Sequence, residues 1–228
     1  MTFPMTRLTR LTRLTCTLLA LGALSAGLSA CAPLVVGGAA VMGSMMASDR
    51  RTTGIQVEDE GIELRAANRI RDTFGDRVHV NVTSYNRQVL LTGEVPSAQD
   101  KEKIEQAVLA VENVRSVVND LGVMASSSLT QRSNDTLITG KVRASFVDAK
   151  DLFASAYKVV TERETVYLMG RVTQREADRA SDIARGVNGV RKVVRVFEII
   201  TQQELERGFA QQRPAPVTTD ASPDKPVR

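Results

Sequence analysis

With 228 residues, a net charge of +4, two cysteines, one histidine and no tryptophan, the chain is long enough for one medium domain or two small ones. Two cysteines cannot build a disulfide framework. A single histidine leaves a metal site or a catalytic triad to be built without a second imidazole.

The first segment carries Arg7, Arg10 and Arg13 as a positive region, residues 16–28 as an apolar run, and Leu28-Ser29-Ala30-Cys31 at its end. That is the layout of a secretory signal over residues 1–30, and its apolar run is too short to span a bilayer. The tetrapeptide resembles the lipobox of bacterial lipoproteins, which implies that the Cys31 thiol takes a diacylglyceryl group and becomes the new N-terminus. The alternative is an ordinary signal cut at Ala30, leaving Cys31 as an exposed thiol in an oxidising compartment. Cys16 leaves with the signal, so the mature chain forms no internal disulfide. Two or more acyl chains anchor stably where a single one binds only marginally. Ala32, rather than Asp, after the cysteine implies by resemblance to sorting in Gram-negative bacteria the periplasmic leaflet of the outer membrane. Residues 31–57 then form a lipidated N-terminus and flexible tether, since the uncharged stretch 32–46 is shorter than the roughly 20 residues a span needs. At the other end, residues 202–228 are expected to form a short helix and a disordered tail containing Pro214, Pro216, Pro223 and Pro226.

Between these ends the chain repeats itself. Val89-Leu90-Leu91-Thr92-Gly93-Glu94-Val95 matches Val166-Tyr167-Leu168-Met169-Gly170-Arg171-Val172 at a spacing of 77, and the spacing then becomes 76. Ser97-x-x-Asp100 falls on Thr173-x-x-Glu176, both capping-box-like helix starts. Ile104, Ala107, Val108 and Val111 fall on Ala180, Ile183, Ala184 and Val187, a stripe that buries one helix face. Both copies end in β-branched runs, Val114 to Val118 and Val190 to Val194, suited to buried strands. Asn113 and Gly189, just before them, are the residue types that best tolerate a left-handed backbone. Upstream, each copy offers a helix (61–74; 135–147) and a strand (78–83; 157–161). In the first helix Leu64, Ala67, Ile70 and Phe74 are expected to face the sheet. Each unit is thus an α/β (α+β) fold of αββαβ order, a three-stranded mixed sheet covered by two helices.

This order of elements, the glycine near the end of the second strand, and the Gly-Val or Asn-Val step into the last strand resemble the BON domain, a small module of bacterial envelope proteins. The lipobox, Asp49-Arg50-Arg51-Thr52-Thr53-Gly54, Asn81-Val82-Thr83-x-Tyr85 and the string from Asn134 to Arg143 are similar to the outer-membrane lipoproteins that carry two BON domains. The domains are placed at 58–124 and 134–201, with a linker at 125–133 whose serines suggest a loose connection. The resemblance implies anionic phospholipid binding by the second domain, maintenance of the outer-membrane barrier, and enrichment where such lipids gather, including the division site.

The residues themselves favour a binding module over an enzyme. His79 lies between Val78 and Val80 in a strand, where a lone histidine is usually a tolerated surface residue, and no glycine-rich phosphate loop occurs. No catalytic residue, metal ligand or cofactor is assigned. Residues 58–124 carry eight basic and twelve acidic side chains, a net of −4, whereas residues 134–200 carry twelve and nine, a net of +3. The second domain suits an anionic partner. The compartment excludes nucleic acid and offers phosphatidylglycerol and cardiolipin instead. In the helix at 135–147, Ile138, Val142 and Phe146 form the inward stripe. Its opposite side carries Leu137, Gly140, Ala144 and Val147, edged by Lys141 and Arg143, the composition of a helix lying in the headgroup region. Packing of that side against the first domain is the alternative account. The alternative function is that of a periplasmic adaptor whose BON domains bind an envelope protein such as an outer-membrane assembly factor.

Overall fold

The computed structural model describes residues 49–212; the signal, Cys31 and the proline-rich tail lie outside the described residues. The first unit runs α1 (Thr53–Phe74), β1 (His79–Tyr85), β2 (Gln88–Val95), α2 (Ala98–Leu109), β3 (Ser116–Asn119) and β4 (Gly122–Val123). The second runs α3 (Leu129–Asp148), β5 (Lys158–Glu162), β6 (Thr165–Val172), α4 (Gln174–Arg185) and β7 (Lys192–Ile199), followed by α5 (Gln202–Gln212). The αββαβ order occurs twice, with three differences from expectation. α1 begins at Thr53, within the stretch assigned to the tether, because Thr52 caps it by accepting the Ile55 N–H. α3 begins at Leu129, within the expected linker, because Ser128 and Gln131 form a reciprocal capping box. The first sheet gains a short fourth strand, β4, which continues alongside β2.

Each unit pairs a hairpin with a parallel return strand. β1 and β2 are antiparallel with Val82 opposite Leu91, and α2 carries the chain across to β3, parallel to β2 with Val89 opposite Val117. β5 and β6 repeat the hairpin, and β7 runs parallel along the whole of β6. Parallel neighbours need such a crossover. The helices close one face of each sheet. α1 buries Asp59, Ile62, Ala66, Ile70 and Phe74, and α3 buries Asp135, Ile138, Val142 and Phe146. The expected α1 stripe is therefore corrected in its first half, since Leu64 is 64% exposed. The rows beginning at Ile62 and at Leu64 both lead to Ile70 and Phe74, so apolar periodicity alone does not separate them. These helices pack on Val89, Leu91 and Val95 in one unit and on Val166, Leu168 and Val172 in the other.

The alternate strand residues decide how the units associate. Leu90, Tyr167 and Met169 point to the opposite faces, as successive strand residues must. There they meet Tyr85 and Val196 in a third buried cluster shared by both units. Val89-Leu90-Leu91 and Val166-Tyr167-Leu168-Met169 are unbroken apolar runs because each central strand is covered on both faces. Polar contacts rim this seam: the Tyr167 hydroxyl donates to Asp120 at 2.7 Å and Lys158 Nζ to Glu63 at 2.6 Å. The serine-rich connection joins two docked domains.

Both hairpins turn on non-glycine residues in the left-handed region: Asn86 and Arg87 at φ 52° and 66°, Arg163 and Glu164 at 50° and 60°. This is the type I′ pattern, usually taken by Asn-Gly. A buried aspartate offsets the strain in each copy. Asp59 accepts the N–H groups of Asn86 and Arg87 at 2.8 and 2.7 Å, and Asp135 those of Arg163 and Glu164 at 2.9 and 2.8 Å. Asn113 and Gly189 are both left-handed, at φ 67° and 102°, as their residue types predict.

Candidate functional site

α3 presents the feature most suited to a surface partner. Its inner stripe is fixed by the core, and the capping box at Ser128 extends the helix toward the first domain, lengthening the outer face as well. Leu137, Gly140, Lys141, Arg143, Ala144 and Val147 are all exposed, with Leu137 at 63% and Val147 at 71%. The first domain does not cover them, which answers the alternative account of that face. Leu129, 80% exposed, joins the same side, because at about 100° per residue it falls in line with Val147 and Gly140. The sequence reading missed Leu129 by starting the helix at Asp135, although Ser128-x-x-Gln131 signals the earlier start.

The charges frame this face. Between Asp135 and Asp148 the helix carries no carboxylate, and Asp135 is turned inward to its hairpin. Lys141 lies on one edge and Arg143 on the other. Arg143 Nη2 donates to the Val159 carbonyl at 3.3 Å, so its charge stays close to β5. No helix among the described residues is long and apolar enough to cross a membrane. Cys31 lies outside the described residues.

The segment before α1 ties the two domains together. Arg50 donates to both carboxylate oxygens of Glu176, at 2.5 and 2.8 Å, and to the Arg171 carbonyl at 2.7 Å. Arg51 pairs with Asp49 and Asp59 and lies 4.2 Å over the Tyr85 ring. Burial alone would raise the Glu176 carboxyl, but its bonds from Arg50 and from the Thr173 amide and hydroxyl hold it below the usual range. His79 also departs from expectation. It is not a plain surface residue, for its Nδ1 lies 2.9 Å from Glu94 Oε2 at the domain seam.

Comparison with known proteins agrees with this architecture. The model of the BON domain matches residues 58–125 and again residues 134–201. The chain is 38% identical to the outer membrane lipoprotein DolP of Haemophilus influenzae, over 76% of this chain and 90% of that one. It is 32% identical to the 21 kDa hemolysin of Actinobacillus pleuropneumoniae, over 67% of this chain and 79% of the other. The osmotically-inducible protein Y of Escherichia coli is 33% identical over 50% of this chain and 58% of its own. Two matched domains in the order the repeat predicts, together with identity along most of the length, show that the chain belongs to the BON-domain family and is a dual-BON protein of the DolP kind.

Proposed function

We propose that the protein is an outer-membrane lipoprotein, held to the periplasmic leaflet by acyl chains on Cys31, whose second BON domain docks on anionic phospholipid through the outer face of α3. Phosphatidylglycerol and cardiolipin are the lipids in reach. The docking supports membrane integrity and enriches the protein where such lipids gather, the division site included. Its role is binding rather than catalysis. The location is supported by the lipobox and by the name of the Haemophilus relative. The docking rests on one observation: Leu129, Leu137, Gly140, Ala144 and Val147 form an exposed face edged by Lys141 and Arg143, with Asp148 at the last residue of the helix as its single carboxylate.

The magnitudes describe a weak contact strengthened by its anchor. Partial insertion of Leu129, Leu137 and Val147 returns at most about 1.5–3 kcal/mol each, and a cation over an anionic surface adds about 1 kcal/mol. Lipidation at Cys31 turns this contact into an intramolecular one at high effective concentration. Flotation with vesicles of phosphatidylglycerol and phosphatidylethanolamine tests the reading. The unlipidated parent should float with these and not with zwitterionic vesicles, and Leu137→Glu should lose the association while keeping its fold. Equal flotation of a folded Leu137→Glu protein would remove α3 as the contact and favour the adaptor function. In cells, Cys31→Ala should leave a soluble or unprocessed protein; a processed form still in the outer-membrane fraction would overturn the anchor.

A further inference from the structure

His79 and Glu94 face each other as partners across β1 and β2, and Glu162, at the end of β5 in the other domain, closes on the same point. One ligand-capable atom from each lies within 4.8 Å of the other two. Glu94 is fully buried and Glu162 nearly so. Glu94 Oε2 accepts the Ser127 N–H at 3.0 Å and meets His79 Nδ1 at 2.9 Å, whereas its Oε1 is buried without a hydrogen bond among the described residues. Arg163 Nε lies 3.4 Å from that oxygen, supplying charge without hydrogen-bond geometry. A second cation, Arg132, borders the same cavity and donates through Nε to the Ser127 hydroxyl at 3.2 Å. Burial, opposed by Asn81 and reinforced by the Glu94 charge, pushes the Glu162 carboxyl up.

We propose that His79 Nδ1, Glu94 and Glu162 form a divalent metal site of zinc chemistry that bridges the two BON domains. One imidazole and two carboxylates suit zinc, which takes tetrahedral nitrogen and oxygen donors and often keeps water in the fourth position. Calcium and magnesium prefer six or more oxygens. Tetrahedral donors lie about 3.3 Å apart at zinc bond lengths, so from within 4.8 Å of one another the three donors need to close by at most about 1.5 Å. The metal takes the place of the hydrogen between His79 Nδ1 and Glu94, the neutral imidazole carrying its one proton on Nε2 instead, and Arg163, a third exposed, swings outward. A cavity of about 350 Å³ bordered by His79, Asn81, Thr136, Thr139 and Glu162 gives access from solvent. Asp135 also borders it, but both its oxygens are committed to the hairpin amides of Arg163 and Glu164. Because the ligands come from both domains, bound metal locks their docking. This site is independent of the lipid-binding face.

Titration of the full, untagged, metal-stripped protein with Zn²⁺ and Co²⁺ tests the site. One ion should bind per chain with a dissociation constant below about 10 μM, raising the melting temperature, with Mg²⁺ and Ca²⁺ inert. His79→Gln and Glu162→Gln should each weaken Zn²⁺ binding at least about tenfold, whereas Arg163→Gln, which removes the competing cation, should tighten it. X-ray absorption of the zinc-loaded parent should show one imidazole among oxygen donors, a readout independent of how the variants fold. Absence of stoichiometric zinc binding, affinity unmoved by His79→Gln, or a zinc spectrum without imidazole would each overturn the proposal.

Discussion

α1 and α3 occupy the same place in the two domains, and their inner faces correspond at a spacing of 76: Asp59 with Asp135, Ile62 with Ile138, Ala66 with Val142, Ile70 with Phe146. Their outer faces have diverged. Gly61 and Leu64 in α1 become Leu137 and Gly140 in α3, so leucine and glycine exchange places at these two positions. Around them Glu58, Glu60 and Glu63 become Asn134, Thr136 and Thr139, while Asn68 and Arg71 become Ala144 and Val147. α1 also exposes Val57. Both helices expose apolar side chains and keep an aspartate at the same place, Asp72 and Asp148; what distinguishes them is the loss of the three glutamates. An anionic surface repels the first outer face and accepts the second.

The inner faces are the sterner test of equivalence. Gly189, left-handed, sits so that an added Cβ would lie 3.0 Å from Ile138 Cγ1 of the α3 stripe. Gly189→Val should cost about 2–4 kcal/mol, combining backbone strain with overpacking. A melting temperature equal to that of the parent would show that α3 is not held from this side. The N-terminal clamp comes next. Glu176 and Asp100 stand 76 apart at equivalent helix starts, yet Glu176 alone of the two receives Arg50 among the described contacts. Its carboxyl is held low in the folded state, so the stability it adds is present above the unfolded value near about 4.3 and is lost as pH falls through the folded value. Glu176→Gln should cost about 1.5–3 kcal/mol at neutral pH and flatten that acid limb of the stability curve. An acid limb unchanged in the variant would assign it to other carboxylates.

The outer faces are separated by a paired substitution. Leu137→Glu should weaken binding to anionic vesicles at least about tenfold, through lost apolar contact and added repulsion. Leu64→Glu, on a helix already acidic, should leave binding within about twofold, since less than half a kcal/mol is at stake. Equal losses from both would mean that the two helices approach the bilayer together.

The outer face of α3 was legible because its residues are consecutive on one helix, where the period alone decides what shares a side. The repeat was legible for the same local reason. What stayed hidden depends on distant partners. Asp59 and Asp135 look like ordinary helix-surface acids until the hairpin amides 27 to 29 residues away are brought to them. His79 reads as a strand-surface residue until Glu94 is placed opposite and Glu162 arrives from the other domain. The docking of the sheets did leave a trace. Leu90, Tyr167 and Met169 interrupt the alternation expected of a half-exposed sheet, and such an interruption means a second covered face.

Gly140 yields the smallest effect and the finest distinction between the helices. It stands where α1 has Leu64, and a Cβ built on it meets nothing within 4 Å, so packing does not account for the glycine. In an exposed helix interior, glycine costs about 0.5–1 kcal/mol relative to alanine because the unfolded chain gains more backbone freedom. Gly140→Ala should therefore raise the melting temperature by about 1–4 °C for a chain of this size. If apolar area and charge carry the lipid contact, one added methyl on that face leaves flotation unchanged or slightly stronger. If lipid headgroups approach the bare helix backbone at Gly140, the same methyl stands between them, and binding falls while stability rises. Opposite movement of the two readouts would thus shift the contact from side chains to backbone, whereas parallel movement keeps α3 an apolar face whose difference from α1 lies in its three missing glutamates.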